Sequence, residues 1–85
     1  MKTFEIFAKI DCPYCKKTIN LLSLKGWPFV VTIVDKNPEF LEKTKETWNW
    51  PTLPIVIVSQ DGNKTLLGGA SELEDFINEQ SAPTL

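Results

Sequence analysis

Cys12 and Cys15 are the only cysteines in the sequence, and Pro13 and Tyr14 stand between them. Two thiols at positions i and i+3 of a helix start lie on one face, close enough to bridge. Pro13 marks that start, because proline has no N–H to lose at the first helical position. A dithiol at this spacing supports reversible disulfide chemistry, in which one sulfur attacks and the other resolves. A structural staple is the weaker reading, since closing a four-residue loop contributes only about 2 kcal/mol, against about 3 kcal/mol for a fifteen-residue loop. Cys12 is the expected nucleophile, because the free N–H groups and macrodipole of a helix N-terminus favour negative charge there. Lys9, Lys16 and Lys17 add positive charge nearby. Cys15, inside the first turn, is expected to lie deeper and to act as the resolving thiol.

The rest of the composition excludes competing chemistries. The 85 residues contain no histidine, which removes Cys–His and Ser–His nucleophile pairs and imidazole zinc sites. Two cysteines are too few for a four-thiolate zinc or iron–sulfur site within one chain, so no metal is expected. A net charge of −2 argues against a general nucleic-acid binder. Apolar runs fall far short of the roughly 20 residues that span a bilayer. The opening MKTFEIFAKIDC carries Glu5 and Lys9 where a signal peptide needs an apolar stretch. The expectation is a cytoplasmic chain with both thiols in a reducing compartment. Hydrophobic residues at 42% and charged residues at 24% match an ordinary globule, expected to be one domain over residues 1–85 with a frayed tail at 80–85.

The elements that must position the dithiol follow from pattern. Residues 3–9 alternate Phe4, Ile6 and Ala8 with polar neighbours and read as a strand. A helix follows from Cys12–Pro13 to Lys25, with Ile19 and Leu22 on its apolar stripe, Leu21 and Leu24 off it, and Gly26 ending it. The β-branched run 29–34 reads as a strand buried on both faces. Asn37–Pro38 opens a charged helix through PEFLEKTKETW. Residues 55–59 form another buried strand, Asp61–Gly62 a hairpin turn, and 64–67 the returning strand. Ser71 with Glu74 forms a capping-box pattern ahead of Leu73, Phe76 and Ile77. The order is β-α-β-α-β-β-α: an α/β, thioredoxin-like arrangement with a four-stranded mixed sheet flanked by helices.

At this point the sequence resembles the glutaredoxin family, over residues 3–80. CPYC at 12–15 is similar to the family's dithiol site, Thr52-Leu53-Pro54 to its T-V-P segment with a cis proline, and Gly68 to Leu73 to its G-G-x-x-D-L segment. The resemblance implies a glutathione-dependent thiol–disulfide oxidoreductase. It would be an electron carrier in cell redox homeostasis, with glutathione as co-substrate and no metal or bound organic cofactor. It implies that Lys9 holds the glycine carboxylate, that Tyr14 flanks the tripeptide, and that Leu53 pairs its backbone with the cysteinyl unit. Ala70 and Ser71 would offer N–H groups to the γ-glutamyl carboxylate, a role that helix N-termini suit on physical grounds. Thr52, Pro54 and Gly69 belong to the same implied site. The implied partners are disulfide-bearing or glutathionylated proteins, with ribonucleotide reductase among them, acting on a monomer.

Some residues depart from the family pattern. Ile55 stands where the family has glutamine, and Glu72 where it has aspartate. Trp50-Pro51-Thr52-Leu53-Pro54 is similar to the W-P-T-x-P of monothiol members, which handle iron–sulfur clusters. Two alternatives therefore stand beside the main reading: a redoxin reduced by thioredoxin reductase, and a binding protein that bridges two chains around a cluster. Trp48 and Trp50 either border the substrate groove or pack a loop onto the core, and packing is favoured. Trp27 is assigned to packing, and Asp11 to a solvent-facing position.

Overall fold

A computed structural model describes residues 2–81. Its seven elements are β1 (Lys2–Ala8), α1 (Pro13–Lys25), β2 (Phe29–Ile33), α2 (Pro38–Trp48), β3 (Ile55–Gln60), β4 (Asn63–Gly68) and α3 (Ala70–Ser81). Helix α3 continues to Ser81, and residues 82–85 of the expected frayed tail lie outside the described residues. Among the described residues no helix is long and apolar enough to cross a membrane.

The four strands form one sheet in the order β2-β1-β3-β4. Strand β1 runs parallel to β2, with Phe4 opposite Phe29 and Ala8 opposite Ile33. It runs antiparallel to β3, which pairs antiparallel with β4. The period-two alternation of β1 sorts its side chains between two cores. Phe4, Ile6 and Ala8 join Val56, Leu22 of α1 and Leu73 and Ile77 of α3 on one face. Phe7 joins Val34, Ile55 and Ile57 on the other, with Leu41 and Trp48 of α2 against them. Trp27 belongs to the first core: it stacks on Phe4 at 5.3 Å between centroids and meets Phe76 edge-on at 6.0 Å. Such aromatic pairs contribute about 0.5–1.5 kcal/mol beyond the area they bury.

Helix boundaries follow the expected chemistry. Asn37 Oδ1 accepts from Phe40 N–H at 3.0 Å and caps α2. Gly26 ends α1 in the left-handed region at φ 71°, donating its N–H back to the carbonyls of the last turn. Leu24, off the apolar stripe, is 84% exposed. Asp61 and Gly62 both have positive φ and join the paired residues Gln60 and Asn63. Two positive-φ residues suit the right-handed twist of a tight hairpin.

Two expectations are corrected. The β-branched run of β2 predicts a strand buried on both faces, but β2 is an edge strand, and Val30 is 63% and Ile33 45% exposed. Composition alone does not separate an edge strand from a central one, because parallel pairing favours the same residue types in both. The Ser71–Glu74 capping box does not form either. Helix α3 starts two residues earlier, at Ala70 rather than Glu72. Gly69 is the cap and has no side chain, so only the reciprocal half remains: Gly69 N–H donates to Glu72 Oε1 at 2.8 Å. Glu74 instead reaches across to α1, where its Oε2 lies 2.9 Å from Lys17 Nζ.

The Glu72 side chain lies folded over Gly68, whose φ is 130°. A Cβ on Gly68 would sit 2.7 Å from Glu72 Cγ and 3.1 Å from Trp50 Cη2. We expect Gly68→Ala to lower unfolding free energy by roughly 2–4 kcal/mol, combining overpacking with backbone strain. Urea denaturation checks this; a loss below the 0.5 kcal/mol typical of surface changes would contradict the packing.

Candidate active site

The site is assembled where β1 ends. Ala8 accepts from Val34 N–H at 2.9 Å, which ties the end of β1 to the end of β2. Lys9, Ile10 and Asp11 then carry the chain to Cys12, with Asp11 exposed and at φ 59°. Ile10 N–H donates to Asp35 Oδ2 at 3.3 Å, so a carboxylate just after β2 holds the loop that leads to the nucleophile. Asp11, expected to face solvent, does so.

Cys12 is the N-cap of α1, in extended conformation, with Pro13 at the first helical position. Its sulfur does what a serine or aspartate oxygen does at other caps: Sγ accepts from Cys15 N–H at 3.2 Å. The two cysteines are free thiols. Exposure does not distinguish them as expected, since Cys12 is 3% and Cys15 1% exposed. Position and acidity do. Burial, with a hydrogen bond to Cys12 second, pushes the Cys15 thiol up from 9.0 to about 11. Interaction with the Lys9 backbone and charge opposes that rise only in part. Cys15 is therefore a proton-bearing thiol at neutral pH, while Cys12 holds the cap.

Of the three lysines expected near Cys12, only Lys9 lines the adjoining groove. Lys17 is engaged with Glu74, and Lys16 is exposed. The groove, of about 570 Å³, collects residues from four parts of the chain. Lys9 and Tyr14 come from the dithiol loop, Thr52, Leu53 and Pro54 from the turn before β3, and Gly69, Ala70 and Ser71 from the start of α3. All eight residues proposed on sequence grounds to hold glutathione line this one groove. The Leu53–Pro54 peptide is cis. Tyr14 is 65% exposed, an apolar ring at the mouth beside the dithiol.

The groove also contains residues the sequence reading did not place there. Asp35, Leu41, Lys45, Pro51 and Glu72 line it, so two carboxylates share the groove with two lysines. Asp35 and Lys45 carried no motif signal, because neighbours on different elements are visible only once the sheet is built. Trp50 combines its two readings: it lines the groove and packs on the core behind Ile55. Trp48 packs only.

A four-stranded mixed sheet with a C-x-x-C at the start of its first helix places the protein in the thioredoxin-like class of dithiol proteins. Within that class the chain belongs to the glutaredoxin family, whose model, Glutaredoxin, matches residues 4–62. Among solved structures it resembles the dithiolic glutaredoxin 2-C-Grx1 of Trypanosoma brucei brucei, at 28% identity and a TM-score of 0.69, over 91% of this chain and 78% of that one. It also resembles the glutaredoxin-like NrdH-redoxin of Escherichia coli, at 26% identity and a TM-score of 0.69, over 98% and 99% of the two chains. A curated relative, chloride intracellular channel protein 3 of Homo sapiens, is 34% identical over 74 residues. That match takes in 85% of this chain but only 28% of the relative's length.

The raised Cys15 thiol has a signed consequence. A group whose pKa is higher in the fold than in the unfolded chain stabilises the fold below the unfolded value and loses that contribution as pH rises through the folded one. We expect wild-type stability to fall between pH 9 and about 11 by more than that of Cys15→Ser. We also expect iodoacetamide near neutral pH to modify Cys12 alone, with Cys15 following as pH approaches about 11. Equal labelling of the two thiols at pH 7.5, read by peptide mass, would contradict this assignment.

Proposed function

We propose that this chain is a glutathione-dependent dithiol glutaredoxin that reduces protein disulfides and glutathione mixed disulfides. The observation that carries the reading is the convergence of all eight candidate glutathione contacts on one groove beside the dithiol. Glutathione is a small anionic peptide, and Lys9 with the start of α3 supplies cation and free N–H groups in that groove. We assign the activity to the cytoplasm and to a monomer, with disulfide-bearing proteins, ribonucleotide reductase among them, as partners.

The sulfur chemistry follows from the two environments. The Cys12 thiolate attacks a substrate disulfide, forms a mixed disulfide and releases one thiolate. Glutathione then attacks the Cys12 sulfur when that sulfur carries a glutathionyl group, which yields glutathione disulfide and restores the Cys12 thiolate. When Cys12 carries a protein, Cys15 attacks instead, displacing the protein thiolate and closing the Cys12–Cys15 disulfide. Two glutathione molecules reduce that disulfide and leave as glutathione disulfide. The Cys12 sulfur is among the causes that raise Cys15, and its charge is gone once it is in a disulfide. Cys15 therefore loses its proton more readily at the step where it must attack.

A second reading keeps the dithiol and changes the donor to thioredoxin reductase. It is favoured by the end-to-end resemblance to a redoxin described as having a thioredoxin-like activity profile, and by the two carboxylates in the groove.

NADPH oxidation coupled through glutathione reductase, with a small glutathione mixed disulfide as substrate, separates them. We expect rapid turnover that Cys12→Ser abolishes and Cys15→Ser retains. Turnover no faster than the uncatalysed rate, together with activity supported by thioredoxin reductase, would establish the second reading.

A further inference from the structure

Two buried side-chain polar atoms, Asp35 Oδ1 and Trp50 Nε1, have no hydrogen-bond partner among the described residues. Both residues line the groove. Buried polar side-chain atoms are paired in the large majority of cases, so two exceptions on one groove require a cause. They are complementary: the carboxylate oxygen accepts, and the indole N–H donates. They also lie beside different segments of the groove wall. Asp35 Oδ2 accepts from Ile10 N–H at 3.3 Å, so Asp35 sits beside the segment that carries Lys9. A Cβ on Gly69 would lie 3.6 Å from Trp50 Nε1, so the indole N–H sits at the start of α3.

We propose that Asp35 and Trp50 read the two ends of a peptide thiol, Asp35 accepting the N–H of its glycyl residue and Trp50 donating to its γ-glutamyl carboxylate. This rests on the glutathione reading above. The polarity is consistent along the groove. Lys9 takes the glycine carboxylate while Asp35 takes the N–H of the same residue. The α3 N–H groups take the γ-glutamyl carboxylate together with Trp50. Both atoms are closed to solvent although their residues line the groove, so pairing calls for the rotamer adjustment common at binding surfaces. Asp35 thereby selects a peptide that continues beyond the cysteinyl unit, and Trp50 one that begins with an acidic group.

The test compares three thiols in steady-state turnover: glutathione, γ-glutamylcysteine without the glycyl residue, and cysteinylglycine without the γ-glutamyl residue. Asp35→Asn keeps an oxygen for Ile10 N–H but turns a donor toward the groove. We expect it to raise KM roughly five- to tenfold for glutathione and cysteinylglycine and to leave γ-glutamylcysteine unshifted. Trp50→Phe keeps an aromatic ring without the N–H, and should raise KM for glutathione and γ-glutamylcysteine but not for cysteinylglycine. A third measurement needs no variant: glutathione with sarcosine in place of glycine lacks the N–H and should show the same rise on the wild-type protein. Equal shifts for all three thiols, or none, would overturn the assignment of these two residues. A wild-type protein that does not turn over glutathione at all would instead overturn the glutathione reading, and this proposal with it.

Discussion

Strand β1 is hydrogen-bonded along both edges, parallel to β2 and antiparallel to β3, and both of its faces are covered. It is the rigid element from which the reactive loop is launched. Because the Val34–Ala8 hydrogen bond pins its last residue, the next three residues deliver Cys12 to one place at the head of α1. The helix is held from beneath by Cys15, Thr18 and Leu22, all buried. The sulfur that caps the helix and the sulfur one turn on are thus fixed relative to the sheet as well as to each other. Preorganisation of this kind matters for a thiol exchange reaction, whose reacting sulfurs must approach along a defined line.

The groove is the second product of that frame. Its floor is the turn before β3, its far wall the diglycine at the start of α3, and Trp50 locks the two together. The indole lies close over Gly68 and Gly69, and Glu72 folds back to bond the Gly69 N–H. Close approach by Glu72 and Trp50 is reason enough for glycine at position 68. Ile55, a departure from the family's glutamine, is fully buried between Phe7, Val34 and Ile57. An apolar side chain there fills core volume, whereas a buried amide would need hydrogen-bond partners. The substitution is therefore a core adjustment, and the groove wall is left to other residues.

The two thiols divide their work by environment. Both are sealed from solvent to nearly the same degree, so accessibility alone assigns no roles. Cys12 receives a backbone N–H at the cap of α1, while Cys15 stands in the apolar interior beside it, where burial pushes its thiol up. Burial keeps the proton on Cys15 until Cys12 has been consumed in a disulfide.

The dithiol and the order of the elements are readable from the residues alone. The C-x-x-C spacing, Pro13, the Asn37–Pro38 and Asp61–Gly62 signals and the alternation of β1 are local properties, and local geometry carries them into the fold within a residue or two. Seven of the eight expected groove residues were legible because three short motifs carry them, and Lys9 stands three residues before the first. Features that join distant parts of the chain came from the packing of the elements. Sheet order made β2 an edge, although its composition matches a central strand. The approach of α3 to α1 drew Glu74 to Lys17 and left Glu72 to cap α3. Asp35 and Lys45 entered the groove because β2 and α2 end beside it. No periodicity records such meetings, since they arise from packing between elements whose sequences are separately consistent with many neighbours.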